Sequence, residues 1–175
     1  MEINEKIHIE EHNPEWVRQY EYEKEQLCNV LGDTVLGIEH IGSTSIPGIW
    51  AKPIVDIMIG VKSLPLEKSL IARVIKSGYE YLGEAGVSGR IYFRKRFPKA
   101  YNVHITQFGS LIWNNNILLR EFLRSNKDEA MRYSELKKVI ISENVNNLLE
   151  YSERKADFIN EILKKAKEWY NENNS

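Results

Sequence analysis

The stretch from residue 35 to residue 61 constrains the fold more than any other part of the chain. It predicts a strand over Val35–Ile41, a turn of small residues, a short turn of helix and a second strand over residues 54–61. The second strand carries one carboxylate, Asp56, among apolar neighbours. Because a charged group is expensive to bury without a partner, the pattern predicts that Asp56 is paired with another group or serves a function.

The rest of the chain predicts a small mixed sheet flanked by helices, with a helical C-terminal part. The fold class is therefore α/β (α+β), and the length of 175 residues suits one domain over residues 1–175. Helices are expected over residues 14–31, 64–77, 115–125, 128–143 and 148–171, further strands over 79–82, 91–97 and 101–108, and an edge strand or extended arm over 3–10.

Composition narrows the class of protein. The net charge is −1, so no overall basic excess marks a dedicated nucleic-acid binder, and RNA is an unsupported partner. Cys28 is the one cysteine, which rules out an intramolecular disulfide and a cysteine-based zinc site. No apolar run approaches the roughly 20 residues of a membrane span, and the charged N-terminus lacks a signal-peptide core. We expect a cytoplasmic protein without membrane contact; the sequence does not give its oligomeric state.

The turn after the first strand contains Gly42, Ser43 and Thr44. Glycine lets a ligand approach the backbone, hydroxyls donate to phosphate oxygens, and a helix beginning here would point N–H groups at an anion. The alternative is a plain strand-to-helix turn with a Ser or Thr cap.

The position of Asp56 supports a ligand-binding role for this turn. Twelve residues separate Ser43 from Asp56, enough for a return to an adjacent strand that places the carboxylate beside the turn. Carboxylate and phosphate oxygens together are typical magnesium ligands, so Mg²⁺ is the expected cofactor. The alternative is a structural Asp56 paired with Lys52 or His40.

A basic stretch follows in the sequence. Between Glu84 and Glu121 there is no acidic residue, whereas arginines and lysines, Arg94 among them, alternate with aromatic residues. The pattern fits either a solvated hairpin or a phosphate-binding face beside Ser43, which Lys52 could also approach.

Several segments, including EHIGSTSIPGIWAKPIVDI, YNVHI, LLREFLRSN and YSELKK, resemble the GrpB family (UPF0157) over roughly residues 8–170. That family is grouped with the nucleotidyltransferase superfamily. The resemblance implies an α/β core in which the Gly-Ser turn holds nucleotide phosphates and strand carboxylates hold a divalent metal. Gly42, Ser43 and Asp56 match that signature.

The match is incomplete. Met58 stands where a second acid would share the face of Asp56, and the strand over residues 101–108 offers His104 but no acid. Glu39 or His40 on the preceding strand could supply the missing ligand; since their side chains point to opposite faces, at most one reaches the site.

Three hypotheses follow. The first is a nucleotidyltransferase that moves a nucleotidyl group from an NTP to an unknown acceptor. In it Asp56 and Glu39 hold Mg²⁺, the turn holds the phosphates, Lys52 and Arg94 meet the developing charge, and His104 is the candidate base. The second is a non-catalytic module that binds a nucleotide or another phosphorylated small molecule with a degraded metal site. The third, an interaction domain, leaves the turn and Asp56 unexplained.

Overall fold

A computed structural model describes residues 7–145 and 148–173 of the chain. Within them, two helices and five strands come first, and three helices follow. The elements are α1 Glu15–Leu31, β1 Val35–Ile41, β2 Val55–Val61, α2 Lys68–Lys76, β3 Glu80–Tyr81, β4 Arg90–Lys95, β5 Tyr101–Gln107, α3 Leu111–Ser125, α4 Lys127–Ser142 and α5 Leu148–Asn173, with short 3-10 turns at Gly32–Thr34 and Ser43–Ser45.

The strands form one mixed sheet in the order β1-β2-β5-β4-β3. Strands β2 and β5 are parallel neighbours in its interior, and the other pairs are antiparallel. The mixed sheet with flanking helices and a helical C-terminal part confirms the predicted α/β class, whereas membership of the nucleotidyltransferase superfamily stays a prediction.

The two faces of the sheet differ in chemistry, because successive side chains of a strand point to opposite sides. One face is apolar: Ile57 and Val103 lie in a core with Trp16 of α1 and Val74 of α2. Burying each of these side chains contributes about 1.5–3 kcal/mol. The opposite face carries Asp56 and its neighbours, and the C-terminal helices cover it. The apolar face anchors the sheet, and the other face combines the polar groups around Asp56 with a smaller apolar cluster of Ile41, Met58 and Trp113.

Two helix starts differ from those predicted. Helix α3 begins at Leu111 rather than near residue 115, because the Ser110 hydroxyl accepts a hydrogen bond from the Trp113 N–H at 3.3 Å and caps the helix. Helix α2 begins at Lys68 rather than at residue 64, since Pro65 lacks an N–H and disfavours helix at the residue before it.

The start of the chain was predicted as an edge strand or arm over residues 3–10. Residues 3–6 of it lie outside the described residues, and from residue 7 the structure has an isolated bridge between Glu10 and Ala51. None of the helices in the described parts of the chain combines the length and apolarity needed to cross a membrane.

Candidate functional site

The turn and the carboxylate predicted to lie together are direct neighbours. Ile41, the last residue of β1, pairs with Asp56 of β2, so the chain turns at Gly42 beside that carboxylate. Gly42 has φ 71° and ψ −175°, a conformation that is essentially restricted to glycine. A Cβ atom at this position would lie 2.5 Å from Oδ2 of Asp56. Only glycine allows the backbone to approach the carboxylate this closely.

Asp56 is held by two side chains of β5. Asn102 donates from Nδ2 to Oδ1 of Asp56 at 2.8 Å, and His104 Nε2 lies 3.3 Å from the same oxygen. Burial alone would raise the pKa of Asp56, but His104, Asn102 and the positive charge of Lys52 outweigh it and lower that pKa. The carboxylate is therefore ionised at neutral pH; Asn102 and His104 hold it by hydrogen bonds, and Lys52, one of the two partners expected from the sequence, acts on it through its charge.

His104 has both ring nitrogens engaged. Its Nδ1 lies 3.3 Å from a guanidinium nitrogen of Arg90, which can only donate, so Nδ1 is the acceptor. Nε2 consequently carries the proton and donates to Asp56. A histidine in this state has no nitrogen left to accept a proton from a ligand. The geometry favours a role in orienting Asp56 over the predicted role as a catalytic base.

A cavity of about 340 Å³ opens beside Asp56. Its lining comes from strands β1, β2, β4 and β5, from the turn and the connection between β1 and β2, and from helices α3, α4 and α5. The lining residues are Ile41, Gly42, Ser43, Thr44, Lys52, Ile54, Asp56, Tyr92, Asn102, His104, Asn116, Tyr133, Tyr151, Ser152 and Lys155. We call this cavity the pocket.

Among the described residues that line the pocket there are two lysines, Lys52 and Lys155, and one carboxylate, that of Asp56. Lys52 Nζ lies 5.6 Å and Lys155 Nζ 4.3 Å from the centre of the Tyr151 ring. Burial lowers the pKa of Lys155 to about 8, although the nearby Asp56 opposes that shift. Sequence reasoning proposed Lys52 and missed Lys155, which lies on the last helix, far from the turn in sequence.

The turn itself differs from the expected helix start. Only the 3-10 turn Ser43–Ser45 follows Gly42, so the turn does not begin the α-helix that was expected to point its N–H groups at a ligand. The Thr44 side chain is buried, and its hydroxyl lies 2.9 Å from His40 Nε2. All three predicted residues of the turn line the pocket, where the Thr44 hydroxyl is engaged with His40, and Lys52 and Lys155 bring positive charge to the same lining.

The predicted metal ligands are not brought together. Glu39 is paired with Arg120 at 2.7 Å, outside the pocket lining, and Met58 is buried against Ile41 and Trp113. Within the described residues, no group of three or more His, Cys, Asp or Glu side chains could hold a metal ion. Asp56 is the one predicted metal ligand in the lining, so the residues present do not form the two-carboxylate site that the resemblance to nucleotidyltransferases implies.

Two residues of the basic stretch are paired with acids from other elements. Arg94 shares the sheet face of Asp56, but its Nε donates to Glu80 at 2.6 Å and it does not line the pocket. Lys95 pairs with the buried Glu23 at 2.6 Å. The structure therefore does not place the predicted Arg94 with the other phosphate ligands.

Comparisons with known proteins give a consistent result. A profile of the family described as GrpB protein matches residues 6–165. Glutamate-rich protein GrpB of Alkalihalophilus pseudofirmus is 34% identical over 87% of this chain and 91% of that protein. UPF0157 protein YqkA of Bacillus subtilis is 34% identical over 94% of this chain and 48% of that protein, so the chain spans about half the length of this relative.

A solved structure agrees with the sequence comparisons. The crystal structure of conserved protein GrpB from Enterococcus faecalis has a TM-score of 0.86 and 36% identity to this chain. The match covers 93% of this chain and 99% of that one. The likeness extends over the sheet and the helices together.

Proposed function

The chain belongs to the GrpB protein family, and we propose that it binds a phosphorylated small molecule in the pocket without a metal ion. Nucleotides are the first ligands to test, because the resemblance to nucleotidyltransferases directs attention to them. The observation that carries the proposal is the convergence of Lys52 and Lys155 on a turn that only glycine can form, in a cavity whose lining contains one carboxylate.

The charges in the pocket suit a phosphate group. A phosphate monoester carries between one and two negative charges at neutral pH, which two ammonium groups can balance. Asp56 already accepts hydrogen bonds from Asn102 and His104, so its negative charge is partly compensated within the protein. Charge-assisted hydrogen bonds from lysine and from the Ser43 hydroxyl would then hold the phosphate oxygens.

The size of the pocket favours a small ligand. Its volume of about 340 Å³ lies near the lower end of the range for ligand pockets, about 300–1,000 Å³. The tyrosines in its lining offer flat apolar surfaces to the organic part of such a molecule. An RNA partner has no comparable support.

Nucleotidyl transfer is the second candidate, and the closeness of Asp56 to the turn is the observation in its favour. Phosphoryl-group chemistry of this kind depends on metal ions that neutralise developing charge. Since Glu39 is paired with Arg120 and Met58 is buried, the pocket has the means to bind a phosphate but lacks the ligands for that catalysis. The binding module is therefore the better-supported function.

Calorimetric titration tests the proposal. AMP, ATP and inorganic phosphate are titrated into the protein in EDTA and again in excess Mg²⁺, with product analysis after each ATP run. We expect metal-independent binding that weakens about 10- to 100-fold in Lys52→Gln, because a hydrogen bond to a charged group contributes about 1.5–3 kcal/mol.

Lys164→Gln is the matched control, since Lys164 is exposed on α5 and does not line the pocket. It should bind like the unaltered protein. Binding that appears only with Mg²⁺, together with release of pyrophosphate, would favour nucleotidyl transfer instead. Absence of heat with every phosphate compound would refute both.

A further inference from the structure

Lys155 occupies an unusual position for a lysine on a helix. It lies one turn after Tyr151 on α5, and its Nζ sits over that ring at 4.3 Å. Asp56, which also lines the pocket, is the carboxylate whose charge acts on the Lys155 ammonium. The amine therefore faces the space next to the phosphate-binding turn with an aromatic wall behind it.

A second amine lies behind the first. Lys137 of α4 is 1% exposed, donates to the backbone carbonyl of Trp50, and its Nζ lies 4.3 Å from the centre of the Tyr133 ring. Burial and the charge of Lys155 lower the pKa of Lys137 to about 7. Lys137 is too enclosed to meet a ligand, which leaves Lys155 as the accessible amine of the pair.

The surroundings of Lys155 also change its protonation. Burial lowers its pKa to about 8, so roughly one tenth of the amine is neutral at pH 7, against fewer than about one in a thousand for an exposed lysine. A neutral amine is a nucleophile, and apolar or cationic surroundings are a known way to activate lysine toward carbonyl compounds. Lys52 supplies a positive charge for phosphate in the same pocket.

We propose that Lys155 forms an imine with the carbonyl group of a phosphorylated aldehyde or ketone held in the pocket. The amine nitrogen attacks the carbonyl carbon, a C–N bond forms, and the carbonyl oxygen leaves as water with the two amine protons. Addition of water reverses the reaction, and no electrons are gained or lost. The inference rests on the proposed phosphate binding, because the phosphate brings the carbonyl to the amine, and it narrows the ligand class to phosphorylated carbonyl compounds.

Reductive trapping tests the proposal. The protein is incubated with pyridoxal 5′-phosphate, a phosphorylated aldehyde, then treated with sodium borohydride, and the modified lysine is identified by peptide mass spectrometry. Pyridoxal, which lacks the phosphate, is the matched probe. We expect modification at Lys155 at least about tenfold faster than at exposed lysines, slower with pyridoxal, and suppressed by added inorganic phosphate.

Two variants separate chemistry from charge. Lys155→Arg keeps a positive charge at this position but cannot form an imine, so trapping at residue 155 should be lost, and its phosphate affinity is measured by calorimetry alongside that of Lys164→Arg, which should bind like the unaltered protein. Lys164→Arg should be trapped at Lys155 at the normal rate.

The outcomes distinguish the two proposals. Phosphate binding by calorimetry without preferential trapping at Lys155 overturns the imine inference and leaves phosphate binding intact. Equal trapping at many exposed lysines, or a rate at Lys155 that does not depend on the phosphate group of the probe, also overturns it. If the protein shows no phosphate binding in calorimetry and no trapping at Lys155, both the phosphate-binding proposal and the imine inference are overturned.

Discussion

Replacing Gly42 with alanine tests whether the turn is shaped by its contact with Asp56. The backbone conformation of Gly42, φ 71° and ψ −175°, costs a side-chain-bearing residue about 1–3 kcal/mol. The added methyl group would also lie 2.5 Å from Oδ2 and 3.1 Å from Cβ and Cγ of Asp56, and such overpacking typically costs about 1–3 kcal/mol. We expect Gly42→Ala to lower the free energy of unfolding by about 2–6 kcal/mol.

Gly48→Ala is the matched control. Gly48 also has a positive φ, 81°, but an added Cβ atom would meet nothing within 4 Å. In this variant the free energy of unfolding should fall only by the cost of the backbone conformation, about 1–2 kcal/mol. Urea unfolding measures the free energy of unfolding of both variants, and we assign the additional loss in Gly42→Ala to the clash with Asp56.

A double-mutant cycle makes the assignment direct. In an Asp56→Ala background the carboxylate is absent, so the loss caused by Gly42→Ala should shrink by about 1 kcal/mol or more. Equal losses for Gly42→Ala and Gly48→Ala, or a loss at Gly42 that is unchanged without the Asp56 carboxylate, would refute the reasoning.

Three further predictions concern stability. Burial lowers the pKa of His40 from 6.5 to about 4, although the charge of Asp56 opposes this shift. Between these two pH values the His40 side chain takes up a proton in the unfolded chain but not in the folded one, so the free energy of unfolding should fall by about 3 kcal/mol as the pH drops from 6.5 to 4. Urea unfolding at several pH values measures this, and in His40→Gln the free energy of unfolding should depend less on pH. Glu23→Gln should lower stability by about 3–5 kcal/mol in thermal unfolding, since it leaves Lys95 without its buried partner. Ser110→Ala should cost about 1 kcal/mol of unfolding free energy in urea through the lost cap of α3, and Ser110→Thr less.

Each of these has an outcome that contradicts it. A pH profile unchanged by His40→Gln would show that another group takes up the proton. Glu15→Gln, which removes an exposed pair with Arg18, should cost less than about 0.5 kcal/mol, and a loss equal to that of Glu23→Gln would show that burial adds nothing to the Lys95 pair. Identical stabilities of the Ser110 variants would exclude the cap.

Local sequence patterns predicted the central strands well. The strand Val35–Ile41 was predicted with the bounds observed, and β2 begins one residue later than expected, at Val55. Both segments have β-branched residues bounded by glycine, proline or polar turns, so local preference and burial agree there. The start of α3 was misplaced because the Ser110 cap, a local signal, was not recognised before the apolar stripe began.

The site was predictable only where its parts are close in sequence. The turn at Gly42 and the carboxylate of Asp56 lie on adjacent strands, and their contact follows from that pairing. Asn102 reaches Asp56 through the parallel pairing of β2 with β5, which no local pattern specifies. The helical stripe of α5 suggested a core role for Tyr151 and gave no reason to select Lys155.

The charge pattern misled for a related reason. An acid-free stretch of sequence indicates a basic surface only when no acid from elsewhere packs against it. Arg94 has Glu80 opposite it across β3 and β4, and Lys95 has Glu23 of α1. Glu80 and Glu23 lie far from their basic partners in sequence, so only the folded structure shows these pairs.

The pocket also has a consequence for the order of events during synthesis. Its turn and carboxylate emerge from the ribosome early, whereas Tyr151, Ser152 and Lys155 come from the helix that is made last among the described elements. Synthesis proceeds at about 5–20 residues per second. For several seconds, therefore, the nascent chain contains the strands and the turn of the pocket but does not yet contain α5. During that interval a ligand of the kind proposed above would find only half of its contacts, so by mass action it would stabilise molecules that already contain α5 and give little support to shorter nascent chains.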